Sequence, residues 1–406
     1  MNSPESPRIA DARNRGVSIG IRTFHEALNY GAMLQATSLV NYLRESLFNA
    51  WVLDVRGLPQ RVFAPPTSLK AIVKNVLVAP RYRMLKTRIE RSQRFMISHI
   101  PLFGRYQGAS DLASRWPDMD AFITGSDQVW NTKHNFNPTF FLLPADPRTS
   151  RLIAYAASFG MGSVPEPNRD RIRDALLRFH AISVRECTGA DIVENLTGTR
   201  PPVVCDPVFL HDRDYYDRLS LPYPTPPQYI LVYRIGVNAE GEAAIRHAKE
   251  RLKLPVVEFL SGTGRSRSRH TDIGVFDAGP AEFLHLISHA SFVCTNSFHG
   301  TAFSFIFRKP FLAAPALGGL NTRIESLLEA FGETDRFETG DDREFAAKWD
   351  RISKPDLEKW NRAHQAISEA GAIFLHQALA EVGRSGEHES PAARPDEGTN
   401  PQPKKS

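Results

Sequence analysis

Apolar residues fall in short unbroken runs, separated by longer stretches in which they recur every three or four positions. VSIGIR (17–22), WVLDV (51–55), AFITG (121–125), LIAYAAS (152–158), AISV (181–184) and PVVC (202–205) form a first set of runs. YILVYRI (229–235), PVVEFL (255–260), FVCTNS (292–297) and FLAAP (311–315) form a second. Runs of this length without polar alternation are the pattern of parallel strands covered on both faces. Between them the helical period appears. Over 32–47, Ala36, Leu39, Val40, Leu43 and Leu47 share one face. Further helices are expected near 167–179, 239–252, 280–290, 301–307 and 321–331, and a long one at about 355–382. This alternation predicts an α/β protein with doubly wound parallel sheets.

The run LSLPYPTPPQ (219–228) separates the two sets, and its four prolines cannot continue a helix or a central strand. It is read as an interdomain linker. The expected organisation is a flexible N-terminus over 1–15, a first domain over 16–218, a second over 229–340, C-terminal helices over 341–384 and a disordered polar tail over 385–406. A basic helical insertion is expected at about 60–97. Its segment KAIVKNVLVAPRYRMLKTRIERSQR (70–94) is rich in Lys and Arg and has one Glu. Such a stretch can lie on anionic lipid or be a solvated helix face.

Composition narrows the classes. A chain of 406 residues is too long for one compact core. A net charge of +5, without an aromatic-studded basic motif, argues against a nucleic-acid partner. No apolar window approaches the ~18 residues that a membrane span needs. The first sixteen residues are polar and carry acids, unlike a secretory signal, so the expected location is cytoplasmic. Cys187, Cys205 and Cys294 are isolated, which favours reduced core thiols over disulfides or zinc. HExxH, paired CxxC, Walker and GxSxG motifs are absent. No metal and no cofactor is expected.

In open α/β sheets ligands bind beyond the carboxyl ends of strands. CTNSFHGTAFSF (294–305) puts Asn296 and Ser297 where they can cap a helix, Gly300 where a ligand can approach backbone, and His299 at a positive helix N-terminus. AISVRECTGADIV (181–193) ends a strand in Arg185 and Glu186, an anion clamp or an ion pair. FITGSDQVWN (122–131) offers Ser126, Asp127 and Gln128 to sugar hydroxyls, or as a turn and helix cap. Asn29 and Gly31 of FHEALNYGAMLQATSL (24–39) form a weak glycine loop, and Asp206 of VVCDPVFL (203–210) closes a strand.

Taken in order, NYGAMLQA, GSDQVWN, YAASFG (155–160), SVRE, CDPVFL and SFHG resemble the polysaccharide pyruvyl transferase family. The resemblance spans about residues 17–330. It implies two Rossmann-like domains facing a cleft, in a glycosyltransferase-B-like fold. It also implies phosphoenolpyruvate as co-substrate and a sugar acceptor, lipid-linked or not, that receives a pyruvate ketal. A lipid-linked acceptor would bring the chain to the inner membrane face. On this reading His299 binds phosphate and transfers protons, Arg185 clamps the carboxylate, and Glu186 orients it or acts as base. Asp127 and Asp206 contact hydroxyls. Many family members carry a GD or GN pair where this chain has Asn29-Tyr30-Gly31. Two alternatives share the architecture: a glycosyltransferase using a nucleotide sugar, and a non-catalytic sugar-binding component of polysaccharide assembly.

Overall fold

A computed structural model describes residues 16–25, 28–56, 69–133, 136–260, 267–316, 321–380 and 382. The expectations for 1–15, for 60–68 and for the tail over 385–406 lie outside the described residues. The first sheet contains β1 (Ser18–Arg22), β2 (Asn49–Arg56), β3 (Leu102–Gln107), β4 (Ala121–Thr124), β5 (Arg151–Ala157) and β6 (Ala181–Val184). The second contains β7 (Ile230–Tyr233), β8 (Val256–Phe259), β9 (Ile273–Val275), β10 (Phe292–Thr295) and β11 (Phe311–Ala313). All pairings between these strands are parallel. The orders are β3-β2-β1-β4-β5-β6 and β11-β10-β7-β8-β9. In both sheets the order reverses between the first and fourth strands. β1 stands beside β4, and β7 stands beside β10. Such a switch point opens a crevice at the strand ends.

The helices are α1 (Tyr30–Glu45), α2 (Leu69–His99), α3 (Ala109–Ser114), α4 (Arg169–Leu176), α5 (Cys187–Thr197), α6 (Arg213–Leu219), α7 (Ala239–Leu252), α8 (Pro280–His289), α9 (Phe298–Ile306), α10 (Thr322–Phe331), α11 (Asp342–Ser353) and α12 (Leu357–Leu379). Leu34, Leu39 and Leu43 of α1 are buried on Ile19, Ile21 and Ile123 of the first sheet. α12 returns from the second domain to the first sheet. A Cβ at its Gly371 would lie 2.5 Å from the Tyr155 hydroxyl, and Arg151 donates to the Ala378 carbonyl.

The domains are also pinned at their front. The Tyr30 hydroxyl donates to the Ala278 carbonyl at 2.8 Å, and its ring stacks on Phe283. Arg91 of α2 pairs with Asp277 and Glu282, each at 3.3 Å. Tyr223 of the proline-rich connection donates to Asp277 at 2.6 Å. The inner part of the basic stretch therefore faces the second domain. Arg83, Lys86 and Arg94 remain exposed.

Three expectations need correction. PVVC (202–205) is no strand; Val203 makes one isolated bridge to Val184. β3 and β9 were not anticipated. Cys187 is no core thiol, because as the first residue of α5 it is exposed.

Candidate functional site

The two switch points face each other across a cavity of about 190 Å³. The first sheet contributes Asn29 after β1, and Asp127 and Gln128 after β4. The second contributes Ile235 after β7, residues 296–299 after β10, and Ala316 and Arg323 beyond β11. α1, α9 and α10 all begin here, so three positive helix ends converge on the space. Asn29 caps α1, its side chain accepting from the Ala32 amide at 3.3 Å. Asp127 has φ +70°, a left-handed conformation that Asp tolerates better than most residues. Its carbonyl accepts from the amides of Val129 at 2.7 Å and Ser158 at 3.1 Å, which holds the turn open.

Behind the cavity lies a buried ionic cluster. The guanidinium of Arg185 is 1% exposed. Its Nη1 donates to Asp206 Oδ2 at 2.6 Å, and Ser126 Oγ donates to the same oxygen at 2.8 Å. Asp127 lies 3.7 Å from Nη2 and Glu186 3.9 Å from Nε. The guanidinium also sits 4.3 Å from the centre of the Phe298 ring. Burial lowers the proton affinity of Arg185, but Asp206, Asp127 and Glu186 outweigh it and the net shift is upward. Burial would raise Asp206, yet His299 and Arg185 hold it well below the ordinary carboxylate range. Asp206 Oδ1 accepts from the Val208 amide and caps the 3-10 turn Pro207–Leu210. The YAASFG segment holds Glu186, whose Oε1 accepts from Ser158 Oγ at 2.8 Å and the Phe159 amide at 3.2 Å.

His299 crosses the domain boundary. Its Nε2 lies 3.7 Å from Asp206 Oδ2, an electrostatic contact longer than a hydrogen bond. A Cβ at Gly31 would sit 2.1 Å from His299 Nδ1. Gly31, expected to bind substrate, instead makes room for the imidazole. Gly300 was expected to admit a ligand. A Cβ there would meet Thr295 Oγ1 at 2.1 Å, so this glycine lets α9 close onto its own strand. Asn296 does not cap α9. Its amide accepts from the Ile235 amide at 2.6 Å and donates to the Ile235 carbonyl at 3.1 Å, which fixes the loop after β7. Ser297 occupies the N-cap position without a side-chain cap.

Among the described residues, ten buried side-chain nitrogens and oxygens lack a hydrogen-bond partner. Four are in this cluster: Nε and Nη2 of Arg185, Oε2 of Glu186 and Nε2 of His299. Buried polar groups are normally satisfied, so their convergence marks a place built to receive polar atoms. Among the described residues no group of three His, Cys, Asp or Glu side chains is placed to hold a metal ion. Of the polar side chains in the cavity wall, sequence reasoning offered Gln128 with Ser126 and Asp127, and missed Arg323. Gln128 lies within the GSDQVWN motif. Arg323 sits in an ordinary amphipathic helix start that carries no signal of its own.

The family model described as polysaccharide pyruvyl transferase matches residues 29–314. No curated protein matches the chain. A protein described as a UDP-N-acetylglucosamine 2-epimerase from Listeria monocytogenes superposes with a TM-score of 0.52 at 10% identity, over 92% of this chain and 98% of that one. MurG from Acinetobacter baumannii gives 0.44 at 10% identity, over 89% and 99%. At that identity the likeness to the epimerase concerns the fold alone, and two parallel doubly wound sheets facing a cleft are glycosyltransferase-B-like.

Proposed function

Because the chain belongs to the polysaccharide pyruvyl transferase family, we propose that it moves pyruvate from phosphoenolpyruvate onto two hydroxyls of a sugar. The sugar belongs to a cell-surface polysaccharide or its lipid-linked precursor, and phosphate is released. The observation that carries this reading is the interdomain cavity, with His299 in its wall and unsatisfied buried polar atoms beside it. Its 190 Å³ is below the ~300–1,000 Å³ usual for larger ligands, and suits a three-carbon phosphate better than a nucleotide sugar.

The reaction turns the C3 methylene into a methyl group, forms two C2–O bonds and breaks the bond between C2 and the phosphate-bearing oxygen. One hydroxyl proton ends on C3 and the other leaves with phosphate. A group that both takes and returns a proton is needed. His299 is that group, and the ionised Asp206 facing its Nε2 orients the ring. Arg185 holds Asp206 in place. Asp127, in the cavity wall, accepts from the sugar hydroxyls, and Glu186 offers its unused Oε2 as a second proton acceptor.

The test is to incubate the full chain with phosphoenolpyruvate and oligosaccharide acceptors, and to measure released phosphate and new ketal methyl signals by NMR. Equal amounts of both, lost in His299→Asn, are expected. Consumption of a nucleotide sugar in place of phosphoenolpyruvate would replace this reading with glycosyl transfer. A lipid-linked acceptor would meet the exposed Arg83, Lys86 and Arg94 of α2. Salt-sensitive sedimentation with anionic vesicles is then expected, and its absence at low salt removes the membrane contact.

A further inference from the structure

We infer that Arg323, and not Arg185, grips an oxyanion of the donor, its carboxylate or its phosphate. This deepens the pyruvyl-transfer reading and rests on it for the identity of the donor. Arg185 is already neutralised. Asp206 holds its Nη1 at 2.6 Å, and two more carboxylates stand within 4 Å. A second anion there would meet three negative groups.

Arg323 is placed differently. It projects from the first turn of α10 into the cavity wall. Among the described residues no carboxylate lies within the 4.0 Å limit of an ion pair. Its described partner is a neutral amide. With the Gln128 oxygen turned toward it, that oxygen accepts from Nη1 at 3.1 Å and Nη2 at 3.2 Å. Gln128 is itself wedged on Gly160, whose φ is +59° and whose Cβ would lie 2.2 Å from the other terminal atom of the Gln128 amide, the one turned away from Arg323. The amide is thus a fixed stop for the guanidinium. Both Nη groups converge on one neutral oxygen, and a carboxylate or phosphate can take the same donors with full negative charge.

The energetics agree. Burial, and then the neighbouring charge of Arg185, lower the proton affinity of Arg323, and the more distant Asp127, Glu186 and Asp206 offset this only in part. The fold therefore carries a partly desolvated cation that no carboxylate pairs with directly, and a bound oxyanion would relieve it. Arg323 also lies outside residues 29–314, so the matched family segment does not account for it.

Thermal-shift titrations of the full chain with phosphoenolpyruvate, pyruvate and inorganic phosphate test this, with Arg323→Met and Arg323→Lys alongside. Without ligand, Arg323→Met should melt at or above the native temperature, since it removes a cation that no carboxylate pairs with directly. Its affinity for phosphoenolpyruvate should fall at least tenfold, with Arg323→Lys between the two. Whichever fragment loses its stabilising effect in Arg323→Met identifies the end that is held. If Arg323→Met binds phosphoenolpyruvate as the native chain does, the inference is overturned and pyruvyl transfer is untouched. If the native chain binds phosphate through Arg323 but not phosphoenolpyruvate, the oxyanion role stands and pyruvyl transfer falls. If no anion stabilises the native chain, the inference fails.

Discussion

The two switch points share a topology but are built of different materials. Beyond the first sheet the side chains are acidic. Asp127, Glu186 and Asp206 gather around one arginine, and a hydroxyl from Ser126 tightens the group. Beyond the second sheet they are neutral or cationic. Ile235, Asn296, Ser297 and Ala316 frame His299 and Arg323. Neither half is chemically complete. The first can accept protons but repels an anionic donor, and the second can hold an anion but lacks a carboxylate. The proposed transfer joins an anionic donor to a hydroxylic acceptor and would need both halves, and therefore the domain boundary.

Removing the group that joins the halves should have the largest effect. His299→Asn is expected to lower turnover by roughly 10²–10⁴-fold with an unchanged melting temperature, the range that loss of a proton-transferring residue produces. Retained turnover would show that the acidic half works without it. Asp206→Asn comes next and acts on the fold as well, because it leaves the buried Arg185 without its closest counterion. A stability loss of about 3–5 kcal/mol is expected by denaturant titration. The pH dependence follows from the direction of its shift. The folded value of Asp206 is depressed, so its contribution is present above the unfolded value near ~3.9 and is lost as pH falls through the lower folded value. Melting curves of the native chain should therefore fall more steeply below about pH 4 than those of Asp206→Asn; parallel curves would mean the carboxylate is not held down.

A finer division separates the two glycines. Gly31→Ala pushes on an imidazole from the other domain, whereas Gly300→Ala pushes on Thr295 of its own strand. Each overpacking should cost about 1–3 kcal/mol. Gly31→Ala should depress kcat far more than its stability loss explains, and Gly300→Ala should mainly destabilise. Equal kcat losses would dissolve the distinction. The smallest effect is expected from Asn296→Ala, which frees Ile235 and should cost about 1 kcal/mol by denaturant titration.

Burial on both faces decided what could be read from the sequence. Strands flanked by neighbours, such as β5 and β10, are unbroken apolar runs, and they were legible. β3 and β9 close sheet edges. β3 is interrupted by exposed Gly104, which is left-handed, and Arg105, and β9 is exposed at Ile273 and buried only at Val275, so neither is an unbroken apolar run. PVVC misled in the opposite direction, being apolar for reasons other than sheet pairing. At the site, the motifs pointed to Arg185, Asp127 and His299, because strand–turn–helix junctions are local features. The seat that Gly31 provides for His299 joins segments far apart in the chain, and no local pattern encodes it. Arg323 was hidden for the converse reason: its surroundings in sequence are ordinary and its significance lies in the cavity it reaches.

The return of α12 to the first sheet has a consequence for how the chain is made. The 3-10 turn that carries Asp206 is touched by that helix, where His364 contacts the Phe209 carbonyl at 3.0 Å. A ribosome adding ~5–20 residues per second would release the first domain's own strands roughly 10–40 s before the helix that covers them. During that interval Tyr155 and Cys205 are open to water. The nascent first domain is then a species with that face uncovered, and α12 is the element that covers it.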